Sequence, residues 1–151
     1  MRKNERGFSL IEVLVALALL GIVAAAFLMA LSTASRALFV ADERATAESL
    51  ARSQMEYVKM QGYKTALSGG VASYNRITEI PAGYSIWSVD RTGGRVEAIT
   101  ATDSIIGVPW DPHGQEGGTA VYADAGLQRI KLIIKHHGRE VITLEGFKVK
   151  R

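Results

Sequence analysis

Hydrophobic positions fall along this chain in three successive patterns. Across 8–31 they are nearly continuous, and 13–31 (VLVALALLGIVAAAFLMAL) holds no charged residue. Across 32–61 (STASRALFVADERATAESLARSQMEYVKMQ) they recur at spacings of three and four, with neither Gly nor Pro to interrupt them. Beyond Gly62 they come in short runs separated by stretches rich in Gly, Ser and Pro. The first pattern predicts a helix apolar on every side. At ~1.5 Å per residue it is roughly 36 Å long, enough to cross a hydrocarbon core of about 30 Å. The second predicts an amphipathic helix. Leu31, Ala34, Leu38, Ala41 and Ala45 mark one stretch of its apolar stripe, and Ala51, Met55 and Val58 another. Glu48 weakens the stripe between them, where Ala47 and Leu50 keep the face covered. Gly62 reads as a C-cap. The expectation is a near-continuous helix over 8–61; the alternative is a membrane helix and a separate helix with a break near 32–35.

The third pattern predicts an antiparallel sheet of about four strands. Residues 84–89 (YSIWSV) are rich in β-formers, 91–95 make a turn, and 96–100 return. In 128–137, Ile130, Leu132 and Ile134 share one face, while Arg129, Lys131, Lys135 and His137 share the other with Ile133. A tight turn at 137–139 leads into 140–150. There Ile142 and Leu144 share one face, whereas Phe147 and Val149 fall on the other by strict count, and a bulge at Gly146 would restore the register. Residues 62–83 read as a loop with at most a short strand, anchored by Tyr63 and Tyr74. An apolar helix face and an apolar sheet face cover one another, so the fold class is α+β: a long N-terminal helix with an antiparallel sheet on its outer half.

Glu12 breaks the first pattern. A carboxylate near the centre of an apolar span costs about 2.5–3.5 kcal/mol, less near the interface, unless it is paired or neutral. An amine supplies the pairing if the chain is cut after Gly7, because Phe8 then carries a free amino group about one helical turn away. The stretch Gly7-Phe8-Ser9-Leu10-Ile11-Glu12-Val13, behind a head containing Arg2, Lys3 and Arg6, resembles the processing signal of type IV pilins and type II secretion pseudopilins. The resemblance covers about residues 2–31, with Gly21 where many members have Gly. It implies cleavage between Gly7 and Phe8 by a prepilin peptidase, N-methylation of Phe8, and a role for Glu12 in assembly through the N-terminal amine of a neighbouring subunit. It also implies a long helix with a meander-type sheet. Met29 stands where major pilins usually carry a helix-bending Pro, which points to a minor pilin or minor pseudopilin. A secretory signal peptide or a plain signal anchor would explain the basic head and apolar run, but not Glu12 inside it.

On this reading 1–7 is a cleaved leader, 8–31 spans the cytoplasmic membrane with its N-terminus inside, 32–61 is amphipathic, and 62–151 is an extracytoplasmic β-rich part. The expected partners are prepilin peptidase, other pilin or pseudopilin subunits, an inner-membrane assembly platform and membrane lipid. The competing reading is a membrane-anchored exported binding module that does not assemble into filaments.

Charge and composition narrow the picture further. The net charge of +3 comes from 18 basic and 15 acidic residues. Removing 1–7 takes away Arg2, Lys3, Arg6 and Glu5, leaving 15 and 14, so nucleic acid is not an expected partner despite Arg129, Lys131 and Lys135. There is no Cys, hence no disulfide-bounded loop. No nucleophile elbow, P-loop or zinc-protease motif is present, and an enzyme is not expected. His136 and His137 are adjacent on a predicted strand, which puts them on opposite faces and apart as ligands. The segment 106–124 is the one candidate ligand loop. Asp111, Glu116 and Asp124 offer oxygens to Ca2+, and some pseudopilins similar to this chain hold calcium in a comparable loop. The spacing matches no rigid pattern, and a solvated loop with Trp110 folded onto the core is the expectation; Pro109, Trp110 and Tyr122 form the alternative subunit contact.

Overall fold

The structure is a computed structural model that describes residues 9–66, 70–110 and 124–151. The chain divides into two compact units, Met1–Ala41 and Asp42–Arg151, and the helix α1 (Leu10–Met60) contributes to both.

In the first unit α1 runs without interruption through 32–35. Thr33 and Ser35 sit inside the helix with their hydroxyls donating back to the carbonyls of Met29 and Leu31, each at 3.0 Å. Every described side chain up to Asp42 is exposed, the large apolar ones included: Leu10, Phe27 and Phe39 among them.

In the second unit α1 buries Ala47, Leu50, Ala51, Gln54, Met55 and Val58. Their spacing of three and one traces a single face. Ala47 and Leu50 carry the face past Glu48, which turns outward to pair with Arg52 at 2.6 Å. The face packs on a six-stranded, wholly antiparallel sheet: β1 (Ala72–Tyr74), β2 (Tyr84–Val89), β3 (Arg95–Glu97), β4 (Ile105–Pro109), β5 (Leu127–His136) and β6 (Arg139–Val149). β5 is its spine. One edge of β5 pairs β6 along its whole length; the other pairs β4 at Gln128–Ile130 and β2 at Leu132–His136. β1 extends β4, and β3 extends β2. The order β1-β4-β5-β2-β3 is therefore not a simple meander; β1 is the short strand allowed for within 62–83, whereas β4 lies where only loop was expected. Ser88 Oγ accepts the Ile106 amide at 2.9 Å, joining β2 to β4 where they meet beside β5.

The inner face of β5 presents Ile130, Leu132 and Ile134, all fully buried, to Met55 and its neighbours. No bulge occurs at Gly146. The β5–β6 register is regular from Leu127↔Val149 to Ile134↔Ile142 and shifts only at Ile134/Lys135. Phe147 and Val149 stay on the outer face, and the inward position of Gly146 is filled from the helix by Met55. Trp110 likewise lies away from the core: it meets Phe147 edge-on at 5.7 Å, with the Arg129 guanidinium 4.9 Å from its ring.

Gly62 does not cap α1 with a left-handed turn. The Lys148 ammonium does the work instead, donating to the carbonyls of Val58 at 2.7 Å, Lys59 at 3.1 Å and Gln61 at 2.6 Å. A positive charge at the C-terminal end of a helix dipole is favourable, and the three donors reach three carbonyls at the helix end, of which that of Val58 also accepts the Gln61 amide at 3.2 Å. Burial holds the Lys148 pKa below its ordinary value, with the charge of Arg151 adding to the effect.

Candidate functional site: an N-terminal processing signal

The first described turn of α1 begins at Ser9, whose carbonyl accepts the amides of Glu12 at 3.0 Å and Val13 at 3.2 Å. Ser9 and Glu12 have the spacing of a capping box, Ser at the N-cap and Glu three residues on. Glu12 lies in the first turn, where the partial positive charge of the helix N-terminus favours a carboxylate. Gly7 and Phe8, the expected cleavage and methylation positions, lie outside the described residues. Behind Glu12, α1 contains one segment long and apolar enough to cross a membrane.

A family model described as the prokaryotic N-terminal methylation motif matches residues 2–28. The chain carries a type IV pilin-like prepilin signal. The signal marks a substrate of prepilin peptidase, implies assembly with other pilin subunits, and is that of a structural rather than enzymatic family. An apolar N-terminal helix behind a prepilin signal is the arrangement of a single-pass inner-membrane anchor, and the long helix with its antiparallel sheet is the α+β arrangement of type IV pilin-like proteins. Comparison with curated proteins and with solved structures found no match.

The candidate calcium residues meet a different environment. Asp111 and Glu116 lie outside the described residues. Asp124 accepts hydrogen bonds from the Tyr63 hydroxyl, the Ala66 amide at 2.8 Å, Gln128 Nε2 at 2.6 Å and the Gly126 amide at 3.1 Å. Burial pushes its pKa up, but these donors outweigh it, led by Tyr63, and hold the carboxyl below its ordinary value. Burial and the same carboxylate push the Tyr63 phenol up. Gln128 extends the network: its Oε1 accepts the hydroxyl of fully buried Tyr74 at 2.6 Å, and its Nε2 also reaches the Lys64 carbonyl at 2.8 Å. Both tyrosines thus anchor the 62–66 segment, through Asp124 and Gln128 rather than through apolar contact alone. Among the described residues, no three His, Asp or Glu side chains converge as a metal-ligand set.

Sequence reasoning missed the amides that tie α1 to the following segment. Gln54, fully buried, donates to the Asn75 carbonyl at 3.2 Å and accepts the Ile77 amide at 2.9 Å; Gln61 accepts the Asn75 amide at 2.8 Å. The signal was a polar residue on the buried helix face. His136 and His137 also depart from expectation. His137 leaves the strand with φ 48°, so the two rings lie side by side with centroids 4.2 Å apart.

Proposed function

We propose that the chain is a minor structural subunit of a type II secretion pseudopilus or a type IV pilus-like filament. Cleavage falls between Gly7 and Phe8, the new Phe8 amine is methylated, and Glu12 pairs with that amine on a neighbouring subunit. The observation that carries this reading is the methylation motif running directly into an exposed apolar helix with a carboxylate in its first turn. In a low-dielectric helix bundle such a pair is worth far more than in water, and a subunit out of register leaves the acid unpaired at high cost. Ala16, Ala18, Ala24, Ala25, Ala26 and Ala30 supply small side chains that allow close helix approach. Met29 in place of a helix-bending Pro favours a minor subunit. The basic head stays in the cytoplasm and the β-rich part is exported, in contact with prepilin peptidase, the assembly platform, lipid and sister subunits.

Intact mass and N-terminal sequencing of the protein extracted from its native membrane test the reading. The expected product begins at Phe8 and carries one added methyl group. A retained Met1, or a start well beyond Phe8, overturns it.

A further inference from the structure

Where β5 ends against α1, five side chains lie in one cluster. His136 lies on the Tyr84 ring, with centroids 4.3 Å apart and planes at 22°. Its Nδ1 is 2.9 Å from Glu43 Oε1, and Arg139 lies 3.6 Å from Glu43 Oε2. The Tyr84 hydroxyl donates to the Glu43 carbonyl at 3.2 Å, so ring and helix are fixed together. His137 donates its amide to the Gly83 carbonyl at 2.9 Å, which places its ring beside that of His136. Both Nε2 atoms lie beside Gly83, each 3.1 Å from the position a Cβ there would take.

We propose that His136 and His137 form a two-imidazole site for a borderline divalent transition-metal ion such as Zn2+, with Glu43 as the carboxylate that positions His136. A carboxylate only accepts hydrogen bonds, so His136 carries a proton on Nδ1, and in the neutral ring it is the Nε2 lone pair that is left for a ligand. A carboxylate behind a histidine is the usual support of a metal-binding imidazole; it fixes the ring plane and raises the basicity of the ligating nitrogen. Tyr84 holds the same ring from its face. Two nitrogen donors suit Zn2+, Ni2+ or Cu2+, whereas Ca2+ and Mg2+ require oxygens. Two protein ligands leave the remaining positions of a tetrahedral ion to water or to a group from another molecule. A bound ion would clip the β5–β6 turn, through His137, to His136 at the end of β5 and, through the His136–Glu43 pair, to α1. The site does not depend on the processing reading.

Zn2+ titration of the full-length protein in detergent, followed by calorimetry, tests the site. The expected result is saturable binding of one ion. His136→Ala and His137→Ala each weaken it at least tenfold. Glu43→Ala weakens it about 10- to 100-fold, the usual effect of losing such a support. His113→Ala, which changes the one other histidine, leaves it unaltered. Nitrogen-detected imidazole spectra of the unaltered protein read the site without any substitution. Zn2+ should shift Nε2 of both His136 and His137 while His136 Nδ1 keeps its proton. Binding that survives His136→Ala, perturbation of His113 alone, or no saturable binding overturns the proposal.

Discussion

Met55 occupies the space that a side chain on Gly146 would need: its Sδ lies 2.9 Å, and its Cε 3.0 Å, from the ideal Cβ position. A helix residue thus completes the inner face of β6. The pair explains why an inward strand position between Leu144 and Lys148 holds glycine, and it makes the helix–sheet contact specific in register.

Gly146→Ala is expected to lower stability by about 1 kcal/mol, because the end of a methionine side chain can move aside. Adding Met55→Ala should couple favourably, the double variant losing less than the sum of the two single ones. Gly107→Ala is expected to cost more, about 2–3 kcal/mol. Its Cβ would lie 2.7 Å from Gln128 Oε1 and 2.8 Å from the Tyr74 ring, both held in the hydrogen-bonded network. Denaturant unfolding of the detergent-solubilised variants checks the ranking; equal costs at the two glycines would contradict it.

Lys148→Met keeps the aliphatic stem and removes the three donors. The carbonyls of Lys59 and Gln61 then lose this donor, that of Val58 keeps only the Gln61 amide, and stability should fall by about 1–3 kcal/mol. Amide exchange should accelerate most in the last turn of α1. Unchanged exchange there would show that the ammonium is not the cap.

Asp124 sets an acid limit. Its folded carboxyl titrates below the unfolded value of about 3.9. Its contribution is therefore fully present above that value and is lost as pH falls through the folded pKa. Asp124→Asn should reduce stability at neutral pH and flatten the decline below about pH 4. Asp90 and Glu140, also held low by hydrogen bonds, retain their own exposed and smaller share. Unfolding midpoints measured from pH 2.5 to pH 7 give the comparison, and parallel curves for the two proteins would exclude the role.

The proposed processing and assembly steps separate genetically. Gly7→Ala should leave an uncut precursor, visible as a gel shift that matches a peptidase-null strain. Glu12→Val should still be cut but enter filaments poorly. Normal cleavage of the first variant, or wild-type recovery of the second in sheared filaments, contradicts the corresponding step.

What could be read in advance followed from how local each signal is. The prepilin signal is a linear motif, and the helix and the β5–β6 pair repeat their periods over many residues. β4 has five residues, among them Gly107 and Pro109, and is a strand because β1 and β5 pair with it. Nothing within its own sequence says so. The caps were illegible for a similar reason. Gly62 met the local rule for a helix end, but a lysine 86 positions later takes the carbonyls. Strict alternation did contain a hint, because Lys148 counts inward with Ile142 and Leu144, and an inward charge needs a buried partner. His137 escaped the alternation altogether, since one residue of positive φ is enough to reverse a side chain.

The placement of β5 governs when the sheet can close. As the chain emerges N-terminal end first, β2 can meet β3, and β1 can meet β4, but no ladder links these two pairs until residues 127–136 have followed. Until then the apolar side of the helix has only fragments to rest on. Such a chain gains most of its cooperativity in one late step, and chaperones and proteases have their longest opportunity just before it.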